Sequence, residues 1–160
     1  LWYTENKIPK LGAVRGKIVL MRRCMLGTNN LSSVDNGLDF SYWEDQKGTD
    51  SPLPLPCWFG NKKNEKAIIQ DRYAPKKEEK WQSAVTTMLG DYRPHKNIMA
   101  LNFLSTRGNP RENAEYINKM FSEYSLPDKP FGIIIFDFLT EALAEKVINT
   151  NTEGKDESDI

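Results

Sequence analysis

The order of apolar runs along the chain predicts an α/β domain built on a parallel sheet. Four runs rich in Ile, Val, Leu or Phe, at residues 17–23, 67–71, 97–103 and 132–137, have the length of strands. The first and last are nearly continuous in apolar residues, as strands covered on both faces are. Helical patterns separate and follow the last three, so the order reads β, long loop, β, α, β, α, β, α. Such alternation builds right-handed βαβ units.

Each helix carries its own signals. Trp81, Ala84, Val85, Met88 and Leu89 recur with a period near 3.6, and Gly90 supplies a stop. The second helix opens at Asn109-Pro110, a capping residue followed by proline at the first helical position. It sets Ala114, Ile117, Phe121 and Tyr124 on one face. The third opens at Thr140-Glu141 and aligns Leu139, Leu143, Val147 and Ile148. The segment 24–66 is different. Its Gly, Asn, Ser and Pro content, including Ser51-Pro52-Leu53-Pro54-Leu55-Pro56, argues against regular structure over most of its length. A loop so long in a compact domain is expected to be functional, here a site-side loop.

Size and composition bound the rest. A chain of 160 residues suffices for one domain. Lys plus Arg equals 22 and Asp plus Glu equals 22, so the basic excess of a nucleic-acid binder is missing. No apolar run is long enough to span a bilayer as a helix. Cys24 and Cys57 are too few for a disulfide scaffold; they could pair if the long loop folded over the first strand. The start, Leu1-Trp2-Tyr3, is the kind expected inside a longer polypeptide. Residues 1–150 read as the folded unit, and 151–160, with four acids and one Lys, as a loose acidic tail.

Three of the four runs end in a charged residue: Arg23, Asp71 and Asp137. In a parallel sheet the carboxyl ends of the strands share one edge, where sites form. These residues are expected to converge there, with Tyr73 and Trp43 nearby.

Five segments in order then resemble phosphatidylinositol-specific phospholipase C of the bacterial and fungal type. They are residues 15–23 (RGKIVLMRR), Tyr42-Trp43-Glu44-Asp45, Ile69-Gln70-Asp71-Arg72-Tyr73, Leu101-Asn102-Phe103, and 132–137. The resemblance covers residues 8–149 and implies the C-terminal half of a distorted TIM barrel of the phospholipase C-like phosphodiesterase type. It implies cleavage of phosphatidylinositol to diacylglycerol and a cyclic inositol phosphate, by attack of the inositol 2-hydroxyl on its own phosphate. By position, Arg23 matches an inositol-contacting arginine, Asp71 and Tyr73 the residues that bind and stack on the ring, and Trp43 and Asp45 residues at the site mouth. Asp137 matches the carboxylate that orients the catalytic base histidine. These types suit the ligand: hydroxyls meet an Arg fork and a carboxylate, and an aromatic face covers the C–H side.

The resemblance also marks what is missing. Its two catalytic histidines and phosphate-binding arginine belong to the other half of the barrel, and four strands do not close a barrel of eight. The one histidine, His95, precedes the third run in a turn and is expected at the opposite edge of the sheet, solvated. The isolated chain is therefore expected to be inactive. The partners implied are an inositol phospholipid at a membrane surface and the N-terminal half of the barrel, with no nucleic acid, metal or cofactor. A secreted or membrane-peripheral setting goes with them. Leu53, Leu55, Trp58 and Phe59 are expected partly exposed at the rim, with Trp58 and Phe59 as membrane contacts. Two rival readings stand beside this: a module that binds inositol headgroups without cleaving them, and an unrelated α/β binding module. Gly12 to Lys17 resembles a phosphate loop only superficially, being one residue short and placed before a strand. Asn30-Leu31-Ser32 is a glycosylation sequon expected by chance, and the lysines at 62, 63, 66, 76 and 77 read as a solvated face.

Overall fold

A computed structural model describes residues 1–24, 36–47, 52–59, 64–90, 92, 94, 97–127 and 129–150. The expected α/β architecture is present. Strands β1 (Trp2–Tyr3), β2 (Ile18–Val19), β3 (Met21–Arg22), β4 (Leu38–Asp39), β5 (Leu55–Trp58) and β6 (Lys66–Gln70) come first. Helix α1 (Lys77–Leu89), β7 (Ile98–Phe103), α2 (Pro110–Glu123), β8 (Ile133–Ile135) and α3 (Glu141–Asn149) follow. The principal sheet has the order β5-β6-β7-β8. Strands β6, β7 and β8 run parallel, with Ile69 beside Leu101 and Leu101 beside Ile133. Helices α1 and α2 form the crossovers between them, as the sequence order requires.

The period of two along each strand divides the sheet into two packed faces. One face sends Ala67, Ile69 and Leu101 against Leu38, Phe40, Cys57 and Phe59, with Met99, Phe103 and Ile135 at the margin. The other packs Ile134 and Phe136 under the helices, against Ala84, Met88, Ile117, Phe121 and Leu143. Caps fall where the sequence puts them. Pro110 opens α2 after Asn109, Thr140 accepts a hydrogen bond from the Leu143 amide, and Gly90 closes α1 by donating to Thr86 O.

Two glycines admit parallel strands at close quarters. Gly37 precedes β4 at φ +78° and Gly132 precedes β8 at φ +78°. A Cβ at either would fall inside contact distance of a backbone oxygen, that of Leu20 or of Ala100. Only glycine allows both the left-handed φ and the approach.

Three expectations are corrected. The run 17–23 is no continuous strand: it breaks at Leu20 into β2, paired with β1, and β3, paired with β4, outside the four-stranded sheet. Nor is it covered on both faces, since Ile18, Leu20 and Met21 are exposed. The fourth strand of the sheet is instead β5, from the segment expected to be irregular, and it runs antiparallel to β6. Pro56 is tolerated there because β5 is an edge strand, where a missing N–H breaks no ladder on the outer side. Residues 151–160, the sequon, Lys62, Lys63 and His95 lie outside the described residues.

Candidate functional site

The site is built on the way the chain leaves β6. Residues 70–73 continue the alternation of the strand, so neighbours face opposite ways. Gln70 and Arg72 are buried against α1: Gln70 Oε1 accepts from Lys80 Nζ at 2.9 Å, and Arg72 Nη1 donates to Ser83 Oγ at 2.7 Å. Asp71 and Tyr73 therefore face the other way, toward the segment that follows β4. That segment brings Trp43, Asp45 and Gln46.

Five of the expected residues come together there. Tyr73 donates its hydroxyl to Asp45 Oδ1 at 2.8 Å. The Arg23 guanidinium lies 4.7 Å from the centroid of the Trp43 ring, within cation–π range. An Arg23 nitrogen is 4.0 Å from Asp71 Oδ2, the outer limit of an ion pair, and Arg23 is half-exposed. Trp43 is held from behind by Phe103, at 5.5 Å between centroids, and by Phe40, at 6.0 Å. Its indole Nε1 is buried without a hydrogen-bond partner.

Two groups of the cluster lie above their ordinary pKa. Burial pushes the Asp71 carboxyl above the usual range; Lys80 and Arg23 oppose that push and Asp45 adds to it. Tyr73 is raised, first by its hydrogen bond to Asp45. The cluster thus brings carboxylate acceptors, a planar cation and two aromatic rings together. It can accept hydrogen bonds from hydroxyls, donate to oxygens and stack on a C–H face.

Asp137 sits at the same edge of the sheet, after β8, but apart from this cluster. Strands β6 and β8 flank β7, a separation of about 10 Å. The Asp137 carboxylate accepts from the Thr106 amide at 3.1 Å, and the Asn118 side chain donates to the carbonyls of Asp137 and Phe138. Phe138 adopts φ +52°, unusual for a bulky side chain, and is exposed at this rim with Leu139.

The expected membrane contacts need correction. Phe59 has no exposed surface, being part of the core against Phe40. Trp58 is half-exposed, but the antiparallel pairing of β5 sets it opposite Lys66, at the amino end of β6 and away from the site. Lys66 Nζ covers its ring at 5.0 Å. Among the cluster expected at the rim, Leu53 is exposed and precedes β5 at the site end. Cys24 and Cys57 are free, the first exposed and the second buried.

Two residues escaped the sequence reading. Gln46 is buried in a loop, donating to Ile69 O at 2.9 Å and accepting from the Asp71 amide at 2.5 Å, and so latches the Trp43–Asp45 segment to the end of β6. No local pattern announces it. Lys80 is fully buried in α1. Here a signal exists, because positions 80, 84 and 88 fall on one helical stripe with Ala84 and Met88.

The carboxyl edge of a parallel sheet is where α/β folds place their sites, and this cluster of carboxylates, an arginine and aromatic rings lies at that edge. Solved structures of phosphatidylinositol-specific phospholipase C from Staphylococcus aureus share this fold. A pentafluoro-phenylalanine form matches with a TM-score of 0.70 at 21% identity, and a point variant with 0.69 at 22%. Both matches cover 94% of this chain and 52% of the other. The chain thus spans about half the length of the solved structures it matches. The enzyme from Listeria monocytogenes aligns over 59% of the chain at 26% identity and a TM-score of 0.49. No protein-family model and no curated protein matches the sequence. At these identities the likeness shows the fold: a mixed α/β arrangement with parallel strands, shared with the enzyme structures whose family the five segments resemble. Among the described residues, no helix is long and apolar enough to cross a membrane.

Proposed function

We propose that this chain carries the inositol-binding side of a phosphatidylinositol-specific phospholipase C, its barrel completed by a further set of βα units. The observation that supports this best is the cluster of Arg23, Trp43, Asp45, Asp71 and Tyr73 at the carboxyl edge of the sheet. In this reading Asp71 accepts from ring hydroxyls, Arg23 donates to ring oxygens and Tyr73 lies along the ring face. Trp43 and Asp45 shape the mouth.

The reaction is an internal transfer. The 2-hydroxyl oxygen bonds to phosphorus, the bond from phosphorus to the diacylglycerol oxygen breaks, a base takes the hydroxyl proton and an acid protonates the leaving oxygen. Base and acid are histidines supplied by the remainder of the barrel. Asp137 holds the base in its productive tautomer. Tyr73, held to Asp45 and raised in pKa, does not serve as base near neutral pH. The isolated chain consequently binds without turning over.

A second reading, headgroup binding without cleavage, has its own support. Every contact within the cluster serves binding, and none of its residues moves a proton in the reaction above. One assay separates the two: inositol phosphate release from phosphatidylinositol vesicles by the full-length protein and its Asp71→Asn variant. Release that falls at least about tenfold in the variant fits loss of a charged hydrogen bond and supports the enzyme. Myo-inositol binding without release supports the second reading, and neither release nor binding overturns both.

A further inference from the structure

Beneath the cluster, on the α1 side of the sheet, lies a buried polar layer. Lys80 Nζ donates to Gln70 Oε1 at 2.9 Å and to Arg72 O at 2.5 Å. Gln70 Oε1 also accepts from the Arg72 amide at 3.0 Å, while Gln70 Nε2 donates to Asn102 Oδ1 at 2.8 Å and to Phe103 O at 2.7 Å. Asn102 in turn donates to Ala84 O in α1. Lys80, Gln70 and Asn102 are each essentially without solvent exposure. An uncompensated ammonium in such a place costs several kcal/mol, so the layer stands only while its members stay paired.

The bonds of this layer converge on three consecutive residues. Lys80 grips the side chain before Asp71 and the carbonyl after it, and Gln46 holds the Asp71 amide from the other side. Among the charges acting on the Asp71 carboxyl, Lys80 is the strongest that lowers it, ahead of Arg23. We propose that Lys80 is a positioning residue of the site: from beneath, its ammonium fixes the extended Gln70–Tyr73 segment and so the placement of Asp71 and Tyr73 on its opposite side. This rests on the headgroup-binding reading above.

The groups facing Lys80 set how the layer responds to pH. Arg72 faces it from the end of β6. The carboxylates of Asp71, on the opposite side of that strand end, and of Asp137, beyond β8, act on it through space. Strand β7 contributes the neutral Asn102, and Glu79 pairs with Arg72 at 3.8 Å. Burial pulls the Lys80 ammonium down to about 7, Arg72 pulls with it, and Asp71 and Asp137 oppose. Its charge is complete below that pH and fades above it.

The test uses the full-length protein with myo-inositol as the probe. Lys80→Met is expected to weaken binding about tenfold or more, the loss usual for a charged hydrogen bond. Lys80→Gln keeps a donor and removes the charge, and is expected to move the acid limit of binding to higher pH. Carbon-13 NMR of the Asp71 carboxyl in the unaltered protein should show a second step as Lys80 titrates near pH 7, a measurement that needs no variant to fold. Unchanged affinity and pH limit in both variants, or no second step at Asp71, would overturn the inference. An unaltered protein that shows the step at Asp71 but binds no inositol would keep the clamp and overturn the headgroup reading.

Discussion

Replacing Gln46 by Met tests whether the loop bearing Trp43 and Asp45 is held by two buried hydrogen bonds. Met preserves most of the side-chain volume and can neither donate nor accept strongly, so the cavity contribution stays small. Two backbone groups lose their side-chain partner: Ile69 O, which accepts from Nε2 at 2.9 Å, and the Asp71 amide, which donates to Oε1 at 2.5 Å. Gln46 itself is 1% exposed, so water does not replace it freely. Orphaning a buried polar group costs about 1–3 kcal/mol, which puts the pair at roughly 2–6 kcal/mol. Urea denaturation of the full-length protein should show a lower midpoint at unchanged slope. Myo-inositol affinity should fall with it, because the Asp45 partner of Tyr73 is carried by the released loop. A stability change below about 0.5 kcal/mol would refute the latch, since surface substitutions fall in that range. Lost stability with unchanged affinity would refute its link to the cluster.

Two further outcomes follow from buried charge and thiol. Arg22 and Asp39 pair at 3.2 Å across the β3–β4 ladder, so Arg22→Met should destabilise by about 3 kcal/mol in denaturant titration. Burial raises the Asp39 carboxyl, but its hydrogen bonds with Ser41 and the charge of Arg22 together hold it below the usual value. Its stabilisation is therefore complete above the unfolded carboxyl pKa of about 4 and is lost as pH falls through the lower folded value; the variant, which keeps the Ser41 bonds, should show a weaker acid dependence. Burial, aided by Asp39 and Glu44 against Arg23, pushes the Cys57 thiol up to about 11. Alkylation of the native protein near pH 8 should therefore modify Cys24 quickly and spare Cys57 until unfolding; equally fast modification of both would refute its burial.

What the sequence made legible depends on how local the cause is. The starts of α2 and α3 follow from Asn109-Pro110 and Thr140, and the end of α1 from Gly90, because a cap is decided within a few residues. Strands β6, β7 and β8 were readable from their apolar runs. Strand β5 was not: Leu-Pro-Cys-Trp has no strand pattern of its own and is extended because β6 accepts it as an antiparallel edge. The run 17–23 misled for the converse reason. Its residues have strand composition, but Leu20 lies between two short ladders that pair with different neighbours.

The site divides along the same line. Asp71 stood out because a charge directly follows an apolar run, and Tyr73 because it completes the Gln70-Asp71-Arg72-Tyr73 segment of the resemblance. Gln46 did not, because its partners lie 23 and 25 residues away and nothing near it in sequence demands an amide. Lys80 shows why alternation alone underdetermines a site. Gln70 and Arg72 occupy the complementary positions to Asp71 and Tyr73, so a strand end that presents two polar side chains to a ligand must turn two others into the helix layer. Those inward groups need partners there. In α1, Lys80 donates to Gln70 Oε1 and to the Arg72 carbonyl, and Ser83 accepts from the Arg72 guanidinium. The buried lysine thus answers the polar strand end, adding a donor to a layer whose other bonds run through Asn102 and the backbone.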